Sequence, residues 1–133
     1  MIKILVIDDD KLIRWSLKEI FTQEGHSVDT AATADAALSL SKISTYQLIL
    51  ADLDIDNVSG IEMLKRIQQS LPETQIIILS AQSRQHVESQ IDDLSIASIL
   101  EKPFTAQEIR DATKKVLAYA NIRNESTKNS EEV

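Results

Sequence analysis

The chain of 133 residues contains no cysteine. Disulfides, thiolate metal sites and cysteine nucleophiles are therefore excluded. It also lacks any apolar run near the length of about 20 residues that a membrane-spanning helix takes. The opening run, MIKILVIDDD, is too short for a signal peptide and ends in acids instead of a small-residue cleavage site. Positive charge is scarce: 14 Lys and Arg face 21 Asp and Glu, for a formal net charge of −7 at pH 7. Nucleic-acid phosphates attract basic surfaces, so this balance disfavours direct nucleic-acid binding and suits a cation ligand or a basic partner surface. The expectation is a cytoplasmic protein with no membrane contact.

What is present is the composition of a folded globular protein, 43% hydrophobic, with the length of one ordinary domain. Apolar runs of strand length recur at 2–7, 27–32, 47–52, 75–80 and 97–101. The first, third and fourth are nearly unbroken Ile, Leu and Val, the pattern of strands buried on both faces of a parallel sheet. Between them lie segments of helical period at 11–24, 34–43, 60–69, 84–94 and 106–120. Asp10 and Thr33 are placed to cap helices, Gly25 to end one, and Thr105 with Glu108 to form a capping box. The stripe Val87, Ile91, Leu94 is thin, so the fourth helix is expected to be the least firmly held. Strand and helix alternate five times, which predicts an α/β three-layer sandwich around a five-stranded parallel sheet of order 2-1-3-4-5. Residues 1–120 are expected to form the domain, and the polar stretch 121–133 a disordered tail or a cut linker.

Ligands of open α/β sheets bind beyond the carboxyl ends of the strands. Here those ends carry Asp8 and Asp9, then Asp52, then Ser80, then Lys102 and Pro103. If the four strands are neighbours, these groups share one edge. Several carboxylates with loop carbonyls and water make an oxygen site for Mg²⁺, and the cation lowers the repulsion among the acids. An aspartate there can be a nucleophile toward phosphorus, with Mg²⁺ and a lysine balancing charge on the phosphoryl oxygens.

The segments ILVIDDD, LILADLD, IIILSA and ILEKPF, in this order and spacing, resemble the receiver domain of bacterial two-component response regulators, over about residues 1–120. The resemblance implies that Asp52 accepts a phosphoryl group from a sensor histidine kinase or a phosphotransfer protein. It implies that Asp9 binds Mg²⁺ directly, Asp8 mainly through water, and Asp54 through its backbone carbonyl, with Asp52 completing the set. Ser80 would be the switch hydroxyl, Lys102 the phosphate-pairing cation, and the Lys102–Pro103 bond cis. An output domain, a target protein or a second copy of the chain would receive the signal. Such a protein is a signalling switch that assists its own phosphorylation and dephosphorylation, not a metabolic enzyme.

Two positions depart from the family pattern. Asp56 stands where Pro is common, adding charge near the site. Ile99 stands where an aromatic usually turns inward as the switch hydroxyl moves, which puts the usual coupling in doubt. Three alternatives share some of the residues. A docking module of the same fold without the chemistry would not need the full acid, hydroxyl and lysine set. A haloacid-dehalogenase-like phosphatase would have its DLDID-type motif after the first strand, whereas here it follows the third. A calcium loop in DLDIDNVSGIEM would need Gly at Asn57 and Glu at Met63. His26 and His86 are expected at the surface, and Trp15 as a partly packed surface aromatic beside Arg14.

Overall fold

Apolar runs with no polar alternation must be covered on both sides, and the helices between them do the covering. The computed structural model describes residues 1–55, 58–91 and 93–131, with 58, 59 and 122–131 described by backbone alone. In chain order the elements are β1 (Lys3–Ile7), α1 (Lys11–Gln23), β2 (Ser27–Ala31), α2 (Ala34–Ile43), β3 (Leu48–Asp52), β4 (Asp54–Ile55), β5 (Val58–Ser59), α3 (Gly60–Ser70), β6 (Gln75–Ser80), α4 (Arg84–Glu88), β7 (Ser98–Glu101) and α5 (Ala106–Glu131). The main sheet is parallel, in the order β2-β1-β3-β6-β7. This is the predicted 2-1-3-4-5 order once the small antiparallel hairpin β4-β5, which the sequence pattern does not announce, is set aside. No helix among the described residues is long and apolar enough to cross a membrane.

The two faces of the sheet bury separate clusters. Ile4, Val6, Leu48, Leu50, Ile77 and Leu79 point toward Leu17 and Phe21 of α1 and Ile109 and Val116 of α5. Leu5, Ile7, Ile49, Ala51, Ile76 and Ile78 point toward Ala37 of α2, Met63, Leu64 and Ile67 of α3, and Val87 of α4. Successive strand residues thus alternate between two apolar layers, so every residue of β3 is buried. Asp10 caps α1 by accepting from Leu12 and Ile13, and Thr33 caps α2 by accepting from Ala36. Gly25, at a φ of 92°, takes the left-handed turn that ends α1.

Two helices differ in length from expectation. Helix α4 stops at Glu88 and not near 94, because Val87 is its sole buried residue and so short a segment draws little stability from itself. Ile91 and Leu94 still pack on the core from irregular backbone. There the Gln68 carboxamide of α3 both donates to the Ser95 carbonyl and accepts from the Ser95 N–H. Helix α5 runs on past 120 to Glu131, so the backbone of the stretch expected as a disordered tail or a cut linker continues the helix. Residues 121–131 contain neither Gly nor Pro, so nothing in them terminates the helix.

The chain turns sharply between Asp52 and α3. The Gly60 N–H donates to the Leu53 carbonyl at 2.6 Å. A Cβ at Gly60 would stand 2.7 Å from that oxygen and 3.1 Å from the Asp52 carbonyl, both backbone atoms that cannot swing aside. Gly60→Ala is therefore expected to lower stability by about 1–3 kcal/mol, the range for forced backbone shifts. Urea denaturation measures it, and an unchanged midpoint would refute the close approach.

Candidate functional site

Strand register assembles the site. Ile7 pairs with Ala51, so the next residues, Asp8 and Asp52, leave β1 and β3 at one level. Asp52 pairs with Leu79, and Ser80 pairs with Glu101, so Ser80 and Lys102 come one step further along β6 and β7. The Lys102 N–H donates to the Ser80 carbonyl at 2.7 Å, and the Lys102–Pro103 bond is cis, as the resemblance implied. Residues distant in sequence thus arrive at a single edge of the sheet.

The charged groups are in contact. Lys102 Nζ lies 2.9 Å from Asp8 Oδ2 and 3.3 Å from Asp52 Oδ2. Asp8 has no exposed surface and Asp52 is 7% exposed, whereas Asp9 is exposed. Asp8 Oδ1 accepts from the Asp10 N–H at 2.9 Å, and Asp52 Oδ1 from the Asp54 N–H at 3.2 Å. Removing Lys102 would leave two buried carboxylates uncompensated, and breaking a buried pair in that way typically costs about 3–5 kcal/mol. Burial pushes the Asp52 carboxyl above the ordinary carboxylate value. The charge of Asp8 adds to this, and the Asp54 N–H and the Lys102 ammonium oppose it without cancelling it. Burial alone would lower the Lys102 ammonium, but its hydrogen bond to Asp8 and the charges of Asp8 and Asp52 hold it above its ordinary value.

Asp8, Asp9 and Asp52 each offer a carboxylate oxygen, all within 4.8 Å of one another. This all-oxygen donor set suits a hard divalent cation such as Mg²⁺. Three carboxylates with one lysine between two of them leave net negative charge at this edge, so the residues fit such an ion. Asp54 adds an exposed carboxylate, whose Oδ2 accepts from Gln82 Nε2 at 3.2 Å. Asp56 and Asn57 lie outside the described residues.

Ser80 is fully buried, and its Oγ accepts from the Gln82 N–H at 3.0 Å. Two further contacts tie the loop after it to β7. The Arg84 N–H, at the start of α4, donates to Glu101 Oε1 at 2.6 Å, and Arg84 Nη2 donates to the Ile99 carbonyl at 2.7 Å. Ile99 itself is 7% exposed and packs in the core. Sequence reasoning does not single out Gln82, Arg84 or Glu101. Polar residues just past a strand end were the one available signal, and that is common in loops. His86 and Trp15 are exposed, but His26 is half-buried, its Nδ1 accepting from the Ile2 N–H at 3.2 Å.

Comparison with known proteins gives a consistent result. Residues 4–114 match the family model of the response regulator receiver domain. Sporulation initiation phosphotransferase F of Bacillus subtilis is 36% identical over 115 residues, covering 86% of this chain and 93% of that protein. Transcriptional regulatory protein DltR of Streptococcus agalactiae is 33% identical over 107 residues, 80% of this chain but 48% of that protein, so the chain spans about half of it. A crystal structure of a response regulator protein from Burkholderia pseudomallei with a phosphorylated aspartic acid, calcium ion and citrate superposes with a TM-score of 0.76. It is 25% identical and covers 92% of this chain and 74% of that one.

The raised Asp52 carboxyl has a consequence for stability. Folding favours its protonated form, so that contribution is complete below the unfolded-chain pKa and is lost as the pH rises through the folded value. Asp52→Asn, neutral at every pH, is therefore expected to be more stable than wild type at pH 7 without divalent cations. The gap should close below about pH 4, where the unfolded carboxyl is itself protonated. Denaturation midpoints at both pH values test this; a variant less stable at pH 7 would reverse the sign.

Proposed function

The chain belongs to the response regulator receiver domain family, and from that premise we propose that Asp52 is its phosphoacceptor. The observation that carries this reading is the placement of Asp52 at the end of β3, against both Lys102 and Asp8. Family members are signalling switches and not classical enzymes, and they are served by histidine kinases or phosphotransfer proteins. For this chain the donor is proposed to be a phosphohistidine on such a protein. A carboxylate oxygen of Asp52 attacks phosphorus, an O–P bond forms, the P–N bond breaks, and the donor imidazole leaves with the electron pair.

Asp9 and Asp52 by their carboxylates, Asp54 by its backbone carbonyl and Asp8 mainly through water would hold Mg²⁺, which would supply the positive charge that the phosphoryl oxygens need. Lys102 exchanges its contact with Asp52 for one with a phosphoryl oxygen while keeping Asp8. A phosphoryl group is a strong acceptor carrying close to two negative charges. The Ser80 hydroxyl, which accepts from the Gln82 N–H, turns to donate to a phosphoryl oxygen. That movement pulls on the loop from Ser80 to Arg84 and loosens α4 from Glu101 and the Ile99 carbonyl. Coupling through Arg84 takes the place of an inward-turning aromatic where this chain has Ile99. The phosphorylated aspartic acid and calcium ion of the Burkholderia protein support the phosphoacceptor and cation parts of this reading.

The receiver unit is proposed to be residues 1–120, with 121–133 leading out of it. Relatives include a phosphotransferase and transcriptional regulators. The output is accordingly proposed as onward phosphoryl transfer, an attached output domain, or association with a target or a second copy.

Intact-mass measurement after treatment with acetyl phosphate and Mg²⁺ tests the assignment. One phosphoryl group is expected on wild type and none on Asp52→Ala, with faster amide exchange at Val87 and Glu88 in the phosphorylated protein. Modification of the variant, or none of wild type, would contradict it.

A further inference from the structure

Arg14 belongs to the same DDDKLIR stretch as the acids, yet the phosphoryl chemistry gives it no task. It lies in the first turns of α1, half-buried, and its Nη1 donates to the backbone carbonyl of Asp8 at 2.9 Å. Its own N–H donates to the Asp10 carbonyl at 3.1 Å, so the helix that carries Arg14 starts from the acidic loop itself.

With that contact, each polar group of Asp8 has a partner. Its N–H donates to the Ala31 carbonyl at 3.1 Å, Oδ1 accepts from Asp10, Oδ2 accepts from Lys102, and the carbonyl accepts from Arg14. Three of these partners fix the residue within the fold. The fourth, Arg14, orients the next peptide. The Asp8–Asp9 peptide is planar, so holding the Asp8 carbonyl also sets the direction of the Asp9 N–H and the point from which the Asp9 side chain departs. Asp9 is the exposed member of the acidic cluster. A guanidinium is planar and permanently charged, so it holds this carbonyl at any physiological pH and adds positive charge beside three consecutive acids.

We propose that Arg14 is a positioning residue of the cation site. Acting through the Asp8 carbonyl, it keeps the Asp9 carboxylate within reach of Asp52. The inference rests on the reading that these acids take Mg²⁺, and it goes further by assigning part of that affinity to a residue that acts through a backbone carbonyl.

The test is a Mg²⁺ titration of the full chain monitored by backbone amide NMR at Asp9 and Asp52. Wild type, Arg14→Ala, Arg14→Lys and Asp9→Asn are compared, with unfolding midpoints recorded without Mg²⁺. Loss of an outer partner of a metal ligand typically weakens affinity by about 10–100-fold. Arg14→Ala is expected near the lower end of that range, with its metal-free unfolding midpoint close to wild type. Arg14→Lys, which keeps the charge and a donor, should recover part of the loss. Wild-type affinity in Arg14→Ala alongside lost affinity in Asp9→Asn would overturn the proposal. So would an Arg14→Lys protein that is folded yet binds no better than Arg14→Ala. Wild type that binds no Mg²⁺ would instead refute the cation reading beneath it.

Discussion

A lysine ammonium bridging two buried carboxylates is the interaction on which the rest of this structure depends. Lys102 comes from the far side of the sheet to reach Asp8 and Asp52 together. One positive charge between two negative ones leaves the cluster short of cation, and Asp9 adds a further carboxylate at its exposed side. The same imbalance has two consequences. The site has a use for a hard divalent ion, and Asp52 is held in a state that an added charge can change. A cluster that was neutral by itself would have neither property.

The fold serves this arrangement by register. Parallel strands leave their carboxyl ends on one edge, and the order β2-β1-β3-β6-β7 puts the four chemically equipped strands side by side. Close approach of backbone at Gly60 lets the chain turn directly behind Asp52. On the other side of the pocket, Arg84 and Glu101 connect the loop after Ser80 to an edge strand and to the shortest helix among the described residues. That helix buries one side chain, so few contacts oppose its displacement. The region expected to report the state of Asp52 is thus the region least secured by packing.

Much of this was legible in the sequence, for definable reasons. Unbroken runs of Ile, Leu and Val announce central parallel strands, and β1, β3 and β6 fell where those runs lie. Asp8, Asp9, Asp52 and Lys102 were identifiable because acids and a lysine directly after buried strands are costly without a partner. Contacts that depend on direction were not legible. The periodicity of 84–94 continues through Ile91 and Leu94, yet the backbone there leaves the helix and is held by Gln68. The extension of α5 carries no apolar stripe, and its signal was only the absence of helix breakers. Tyr46 and Thr113 are buried although both are polar at one end and no spacing singles them out. Arg14, Gln82 and Arg84 act through carbonyls, carboxamides and N–H groups, whose partners no residue spacing specifies.

The central claim is that the carboxylates of residues 8, 9 and 52 converge to hold a cation at Asp52, the proposed phosphoacceptor. Anomalous diffraction from crystals grown with Mn²⁺ in place of Mg²⁺ tests it most directly. The account predicts one strong peak among these three carboxylates. A peak elsewhere, or none at a saturating concentration of the ion, would contradict it.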